Sequence, residues 1–83
     1  MTYTTEHFVR LEVGKLLRVE YQGKGLCSAC LVRFVSAAFG TAHTKAQIRK
    51  AMRGMFAAPG ALTRIPTTFP CGECGKLRPC LKA

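Results

Sequence analysis

The sequence predicts an α+β fold: an N-terminal β-hairpin, two helices, and a C-terminal segment that closes a four-cysteine site. Three observations predict it. Apolar and charged residues alternate over 8–21, apolar residues recur every three to four positions over 28–58, and Cys27-x-x-Cys30 and Cys71-x-x-Cys74 form two matched pairs.

The hairpin reading rests on alternation. Val9, Leu11 and Val13 share one side, with Arg10 and Glu12 on the other. After Gly14-Lys15-Leu16 the pattern resumes with Leu17, Val19 and Tyr21 against Arg18 and Glu20. Pairing Val13 with Leu17 sets Leu11 opposite Val19 and Val9 opposite Tyr21, and it places Glu12 across from Arg18 and Arg10 across from Glu20. Gln22-Gly23-Lys24-Gly25 then reads as a loop.

Leu31, Phe34, Val35 and Ala38 mark an amphipathic helix from about Ser28, its expected N-cap, to Phe39, with Gly40 ending it. Arg33 is its only charge, which predicts a well-buried helix. Thr44 caps a second helix that runs to Ala57 or Ala58, where Pro59-Gly60 stops it; Ile48, Met52, Met55 and Phe56 form its apolar face. Residues 59–70, with three prolines, read as an extended irregular connection.

With 83 residues the chain is one domain, 1–83, near the size at which an apolar core alone barely suffices. Five cysteines offer a staple. The odd count leaves a thiol over in any full disulfide scheme, and the start Met1-Thr2-Tyr3-Thr4-Thr5-Glu6-His7 has no signal-peptide pattern. No stretch is long and apolar enough for a membrane span. These features predict a cytoplasmic metal-binding protein.

Two residues between cysteines let both sulfurs reach one ion from a single turn, and two such turns complete a tetrahedral four-sulfur site. Cys27, Cys30, Cys71 and Cys74 are therefore the expected ligands of one structural zinc ion. Pro70-Cys71-Gly72-Glu73-Cys74-Gly75 resembles the zinc knuckle of zinc-ribbon and rubredoxin-like proteins, and a Cys pair at a helix start looks like the helix-side half of a treble clef. The expected fold is thus a hairpin, two helices and a C-terminal zinc knuckle. The spacing Cys71-x-x-Cys74, five residues, then Cys80-Leu81 is also similar to the cluster motif of WhiB-like regulators, although this sequence has no Trp. That resemblance implies an iron–sulfur cluster as the alternative cofactor, with Cys80 a ligand and Cys27 or Cys30 the upstream partner. Otherwise Cys80 is a spare thiol or replaces one of the four. His43 reads as a loop or capping histidine, and His7 begins the hairpin.

Charge bounds the partners. Thirteen Lys and Arg stand against four Glu and no Asp, a formal net charge of +9, and the excess falls entirely within residues 21–83. Lys45, Arg49 and Arg53 lie four apart on the second helix with Lys50 nearby, a spacing at which like charges repel. A phosphate backbone relieves that repulsion, so these four, extended by Arg64, Lys76 and Arg78 and by Lys82 at the tail, are the candidate nucleic-acid-binding residues. Helix, Gly40 and basic helix loosely resemble a helix-turn-helix, though its register would bury Arg49. The expected function is nucleic-acid binding in a regulatory or accessory role. The alternative is a protein-interaction module or inhibitor, of the kind carried by phages, that docks its basic face on an acidic or nucleic-acid-binding protein surface.

Catalysis is not expected. Four thiolates close the coordination sphere of a metal, and positioned acids and bases are scarce. A thioredoxin-type use of Cys27 and Cys30 would require a βαβ framework, which the pattern lacks. Neither a membrane nor a small-molecule substrate is expected.

Overall fold

The computed structural model describes residues 4–83. It is a small mixed fold of three helices and a three-stranded antiparallel sheet. Helix α1 spans Thr5–Lys15 and runs into a π-helical turn, Leu16–Glu20; β1 (Leu26–Cys27) leads into α2 (Ser28–Phe39), then α3 (Lys45–Ala57), β2 (Thr63–Ile65) and β3 (Cys80–Lys82).

The N-terminal segment is helical, which corrects the hairpin expected over 8–21. Its buried residues, Val9, Val13, Leu16 and Leu17, recur at helical spacing and form one stripe. The alternating reading also required Leu11 and Val19 inside, and both are out, at 60% and 69% exposure. Local chemistry supports the helix at both ends. The Thr4 side chain accepts from the His7 amide, Glu6 sits in the first turn and Lys15 in the last. Arg10 pairs with Glu6 one turn back at 2.9 Å instead of reaching across to Glu20. Arg10 also donates to the Ala58 carbonyl, tying α1 to the end of α3. The segment closes with the Tyr21 amide donating to the Leu16 carbonyl five residues back, the wider turn that keeps Leu16 and Leu17 both buried.

Helix α2 has its expected bounds, and Gly40 follows it at φ 60°, a conformation glycine adopts without steric cost. Its N-cap is Cys27, not Ser28. Nor is it buried all round: Leu31 and Val35 are in the core, Phe34 is half-buried, and Ala29, Arg33 and Ala38 face solvent. Helix α3 begins at a capping box in which the Thr44 side chain accepts from the Gln47 amide and the Gln47 side chain accepts from the Thr44 amide. Ile48, Met52 and Met55 are fully buried, Ala51 nearly so, and Phe56 partly. Helix α3 packs against both α1 and α2, which also touch each other.

The connection after α3 is not wholly irregular, since residues 63–65 form β2. The sheet order is β1-β3-β2. Leu26 pairs with Leu81 and Cys27 with Cys80, while Arg64 and Ile65 lie opposite Leu81 and Cys80 from the other side. The last strand therefore threads between two segments from earlier in the chain, and it brings the C-terminal cysteines to the start of α2. Among the described residues, no helix is long and apolar enough to cross a membrane.

Candidate metal centre and the basic cleft beside it

Four cysteine sulfurs converge where α2 begins. Cys27 caps the helix and Cys30 lies in its first turn. Cys71 and Cys74 arrive on a tight loop. Pro70 bridges Leu77 across it, the Cys71 amide donates to the Lys76 carbonyl at 2.9 Å, and the Gly75 amide to the Cys71 carbonyl at 3.0 Å. The Gly72 amide donates to the Gly25 carbonyl at 2.8 Å, which docks this loop on the segment before β1. A Cβ at Gly72 would stand 3.0 Å from Lys24 Cβ and 3.2 Å from the Gly25 carbonyl oxygen, so a larger residue there would have to push the two segments slightly apart. Glu73 reaches Arg33 of α2 at 3.7 Å, a largely solvated pair of small energetic weight.

All four Sγ atoms lie within 4.8 Å of one another, a group placed to hold one metal ion, which fits a zinc-ribbon-like site. The Cys27–Cys74 and Cys30–Cys71 sulfurs are each 3.8 Å apart. A tetrahedron with metal–sulfur bonds of about 2.3 Å has edges of about 3.8 Å, so these two edges already have the length one ion would impose. Cys27, Cys30 and Cys71 are buried; Cys74 is exposed.

The protein polarises the group before any ion enters. Burial works against a Cys71 thiolate, but the amides of Cys74, Cys27 and Glu73 that point at it outweigh burial and lower its pKa to about 6. The Cys27 and Glu73 amides donate to Cys71 Sγ at 3.3 and 3.5 Å. Burial and the neighbouring sulfurs push the Cys30 thiol up instead. The cluster thus favours a thiolate at Cys71 and disfavours one at Cys30.

Cys80 lies outside the four. It sits on β3 beside the group, its thiol donates to the Arg78 carbonyl at 3.2 Å, and burial pushes its pKa up to about 11. His43 stands away from the sulfurs: its Nδ1 is 3.2 Å from the Thr5 hydroxyl, and its ring packs against Phe8 and Phe39. His7 lies in the first turn of α1, its ring edge-on to Phe8.

The basic residues divide. Lys45, Arg49 and Arg53 of α3 border an open cleft of about 660 Å³ between α2 and α3, and Arg78 borders it from the segment leading into β3. Arg33 of α2 borders it too, the fifth cation of the lining. Sequence reasoning did not select Arg33; the available signal was a lone arginine on an otherwise uncharged helix. The rest of the lining is Ser28, Ala29, Val32, Met52, Phe56 and Pro79, of which Met52 and Val32 are buried in the core and Ser28, Ala29 and Pro79 are exposed, with Phe56 half-buried. Lys50 is exposed on α3 but does not border the cleft. Arg64 on β2 donates to the Phe56 carbonyl near the end of α3, a capping role. Lys76 lies on the cysteine loop and Lys82 on β3, neither in the cleft lining. Arg49 is exposed while Ile48 and Met52 are buried, the reverse of a helix-turn-helix register.

No family model, curated protein or solved structure matches the chain.

Proposed function

We propose that this chain is a non-enzymatic binding module, stapled by one zinc ion on Cys27, Cys30, Cys71 and Cys74, that docks on a polyanionic partner in a regulatory or accessory role. The observation that carries the binding half is the clustering of Arg33, Lys45, Arg49, Arg53 and Arg78 around one cleft. Five like charges at one opening repel one another, and an anionic partner turns that cost into attraction. Nucleic acid and an acidic protein surface are the two partner classes of that charge.

What supports zinc is the size of the sulfur group. Sulfurs within 4.8 Å of one another suit a single ion. An iron–sulfur cluster, with its cysteines on different irons, holds their sulfurs further apart. An ion there would lock the C-terminal segment onto the start of α2, the role we propose for the Cys71–Cys74 loop. With four sulfurs bound, the metal has no open position for a substrate, which supports a structural rather than catalytic ion.

The test is a fluorescence anisotropy titration of the metal-loaded chain against three labelled probes: a DNA duplex, a single-stranded RNA and a glutamate-rich peptide. At least one binds at low salt and is released as salt rises. Binding of none of the three at low ionic strength sinks the reading.

A further inference from the structure

Three of the five large apolar side chains exposed among the described residues lie on the N-terminal helical segment: Phe8, Leu11 and Val19, at 39%, 60% and 69% exposure. The helical repeat sets Leu11 and Lys15 on one face, four positions apart, with Phe8 one turn earlier. A straight α-helix would carry Val19 about 80° away from Leu11 over the next two turns. The wider turn at Leu16–Glu20 takes back part of that rotation, and Val19 stays on the outer side. The result is an apolar stripe facing away from the buried one of Val9, Val13, Leu16 and Leu17. One charge of each sign stands near its middle, Glu12 and Lys15.

Charge decides what can cover this face. The chain carries +9, and the whole excess lies within residues 21–83. Residues 1–20 are balanced, with Arg10, Lys15 and Arg18 against Glu6, Glu12 and Glu20. Two copies of the chain repel wherever their basic remainders meet, and here they meet no net charge. A polyanion finds nothing on this face to neutralise. The order of the charges is also self-complementary. When two such segments lie antiparallel about a twofold axis between Val13 and Gly14, Glu12 of each copy meets Lys15 of the other. The two Leu11 side chains then flank the axis, and Val19 of each copy comes to the Phe8 end of the other. A parallel pairing would instead set Glu12 on Glu12 and Lys15 on Lys15.

We propose that two copies of this chain associate through this face, α1 against α1, as an antiparallel twofold dimer. The proposal is independent of the polyanion-docking reading. No residue of 5–20 borders the basic cleft, so the pair carries two clefts on one assembly, an arrangement suited to bivalent binding. The contact is short, about 24 Å of helix. It falls at the small end of specific interfaces, which sets a dissociation constant of roughly 10–100 µM. Below that concentration the chain is a monomer.

The test is sedimentation velocity of the metal-loaded chain from about 5 to about 500 µM, a range that brackets this constant. The parent should pass from monomer to dimer across it. Leu11→Glu should weaken self-association at least tenfold. Leu77→Glu, the same change at a comparably exposed leucine of the cysteine loop, should alter it less than threefold. Glu12→Lys and Lys15→Glu should each weaken it at least tenfold, although the second lowers the net charge and so reduces general repulsion. An equimolar mixture of those two variants should regain the dimer, because each carries at both positions the sign that the other lacks. Far-UV circular dichroism matching the parent keeps folding out of the comparison. A parent that stays monomeric at about 500 µM overturns the proposal. So do equal losses in Leu11→Glu and Leu77→Glu, or a mixture that recovers nothing.

Discussion

The sulfurs of Cys30 and Cys71, 41 residues apart in sequence, stand 3.8 Å from each other. That distance is the edge of a tetrahedral site around one ion of zinc's size, and the two residues belong to the two halves that the ion would join. Metal analysis of the purified chain should give one zinc per molecule. Cys30→Ser and Cys71→Ser should lose it and unfold at lower urea than the parent, because a structural zinc contributes directly to folding stability. Cys80→Ser should keep the zinc, since Cys80 lies outside the group and points its proton at the Arg78 carbonyl. Loss of zinc from Cys80→Ser would move that residue into the ligand set.

Proton release on metal uptake should fall with pH in one identifiable step. The Cys71 pKa, about 6 against an ordinary 9.0, is depressed in the folded chain. A depressed value means that its thiolate favours the folded state: this stability is fully present above the unfolded pKa and is lost as pH falls through about 6. Metal must displace the Cys71 proton below that point and finds none above it. Calorimetry in buffers of different ionisation enthalpy should therefore show one fewer proton released per ion as pH rises from about 5 to about 7. A constant number across that interval would contradict the amide-stabilised thiolate.

Helix and hairpin make opposite demands on Leu11 and Leu17. In the observed α1 and its π turn, Leu17 is fully buried and Leu11 is 60% exposed. Leu17→Ala should cost about 2–5 kcal/mol by urea denaturation of the metal-loaded protein. Leu11→Ala should stay within about 0.5 kcal/mol of the parent. Comparable losses at the two sites would restore the two-stranded arrangement.

Gly25 is placed where no side chain fits without a shift. A Cβ there would lie 2.6 Å from Ile65 Cδ1 and 3.3 Å from Cys80 Cβ. Gly25→Ala should therefore destabilise by roughly 1–3 kcal/mol, the ordinary cost of overpacking. Gly25→Ala combined with Ile65→Val, which removes the clashing methyl, should recover part of the loss. Absence of recovery would place the defect elsewhere than at Ile65.

Chelation should abolish cleft binding as well as metal binding. Arg78 and Pro79 form the third wall of the cleft, and they lie between the Cys71–Cys74 loop and β3. With the ion removed, the wall loses its anchor, and affinity for whichever of the anionic probes binds should drop at least tenfold. Unchanged affinity after chelation would mean that the sheet pairing of β3 alone holds the wall.

The pairing of four cysteines was legible in the sequence because a two-residue spacing is a local geometric constraint, and two such constraints need only one meeting point. The same holds for α2 and α3: the repeat of Ile48, Met52 and Met55, the Thr44 cap and the stop at Gly40 are each written within one or two turns of chain. What misled was Leu11 and Val19. An apolar side chain exposed on a helix and one buried in a strand look alike in sequence, so counting both as core turned a helical stripe into alternation. Only the packing of α1 against α3 decides between them, because it shows which of the apolar residues has a surface to bury. The basic residues show the same division. Their number was plain from composition, but whether Arg33, Arg53 and Arg78 share a cleft depends on three segments, distant in the chain, that β3 and the cysteine group bring together. Spacing within a turn determined the four-cysteine group and the two C-terminal helices; tertiary contact alone decided the fate of residues 5–20 and the shape of the basic cleft, because burial is a property of neighbours that local sequence does not contain.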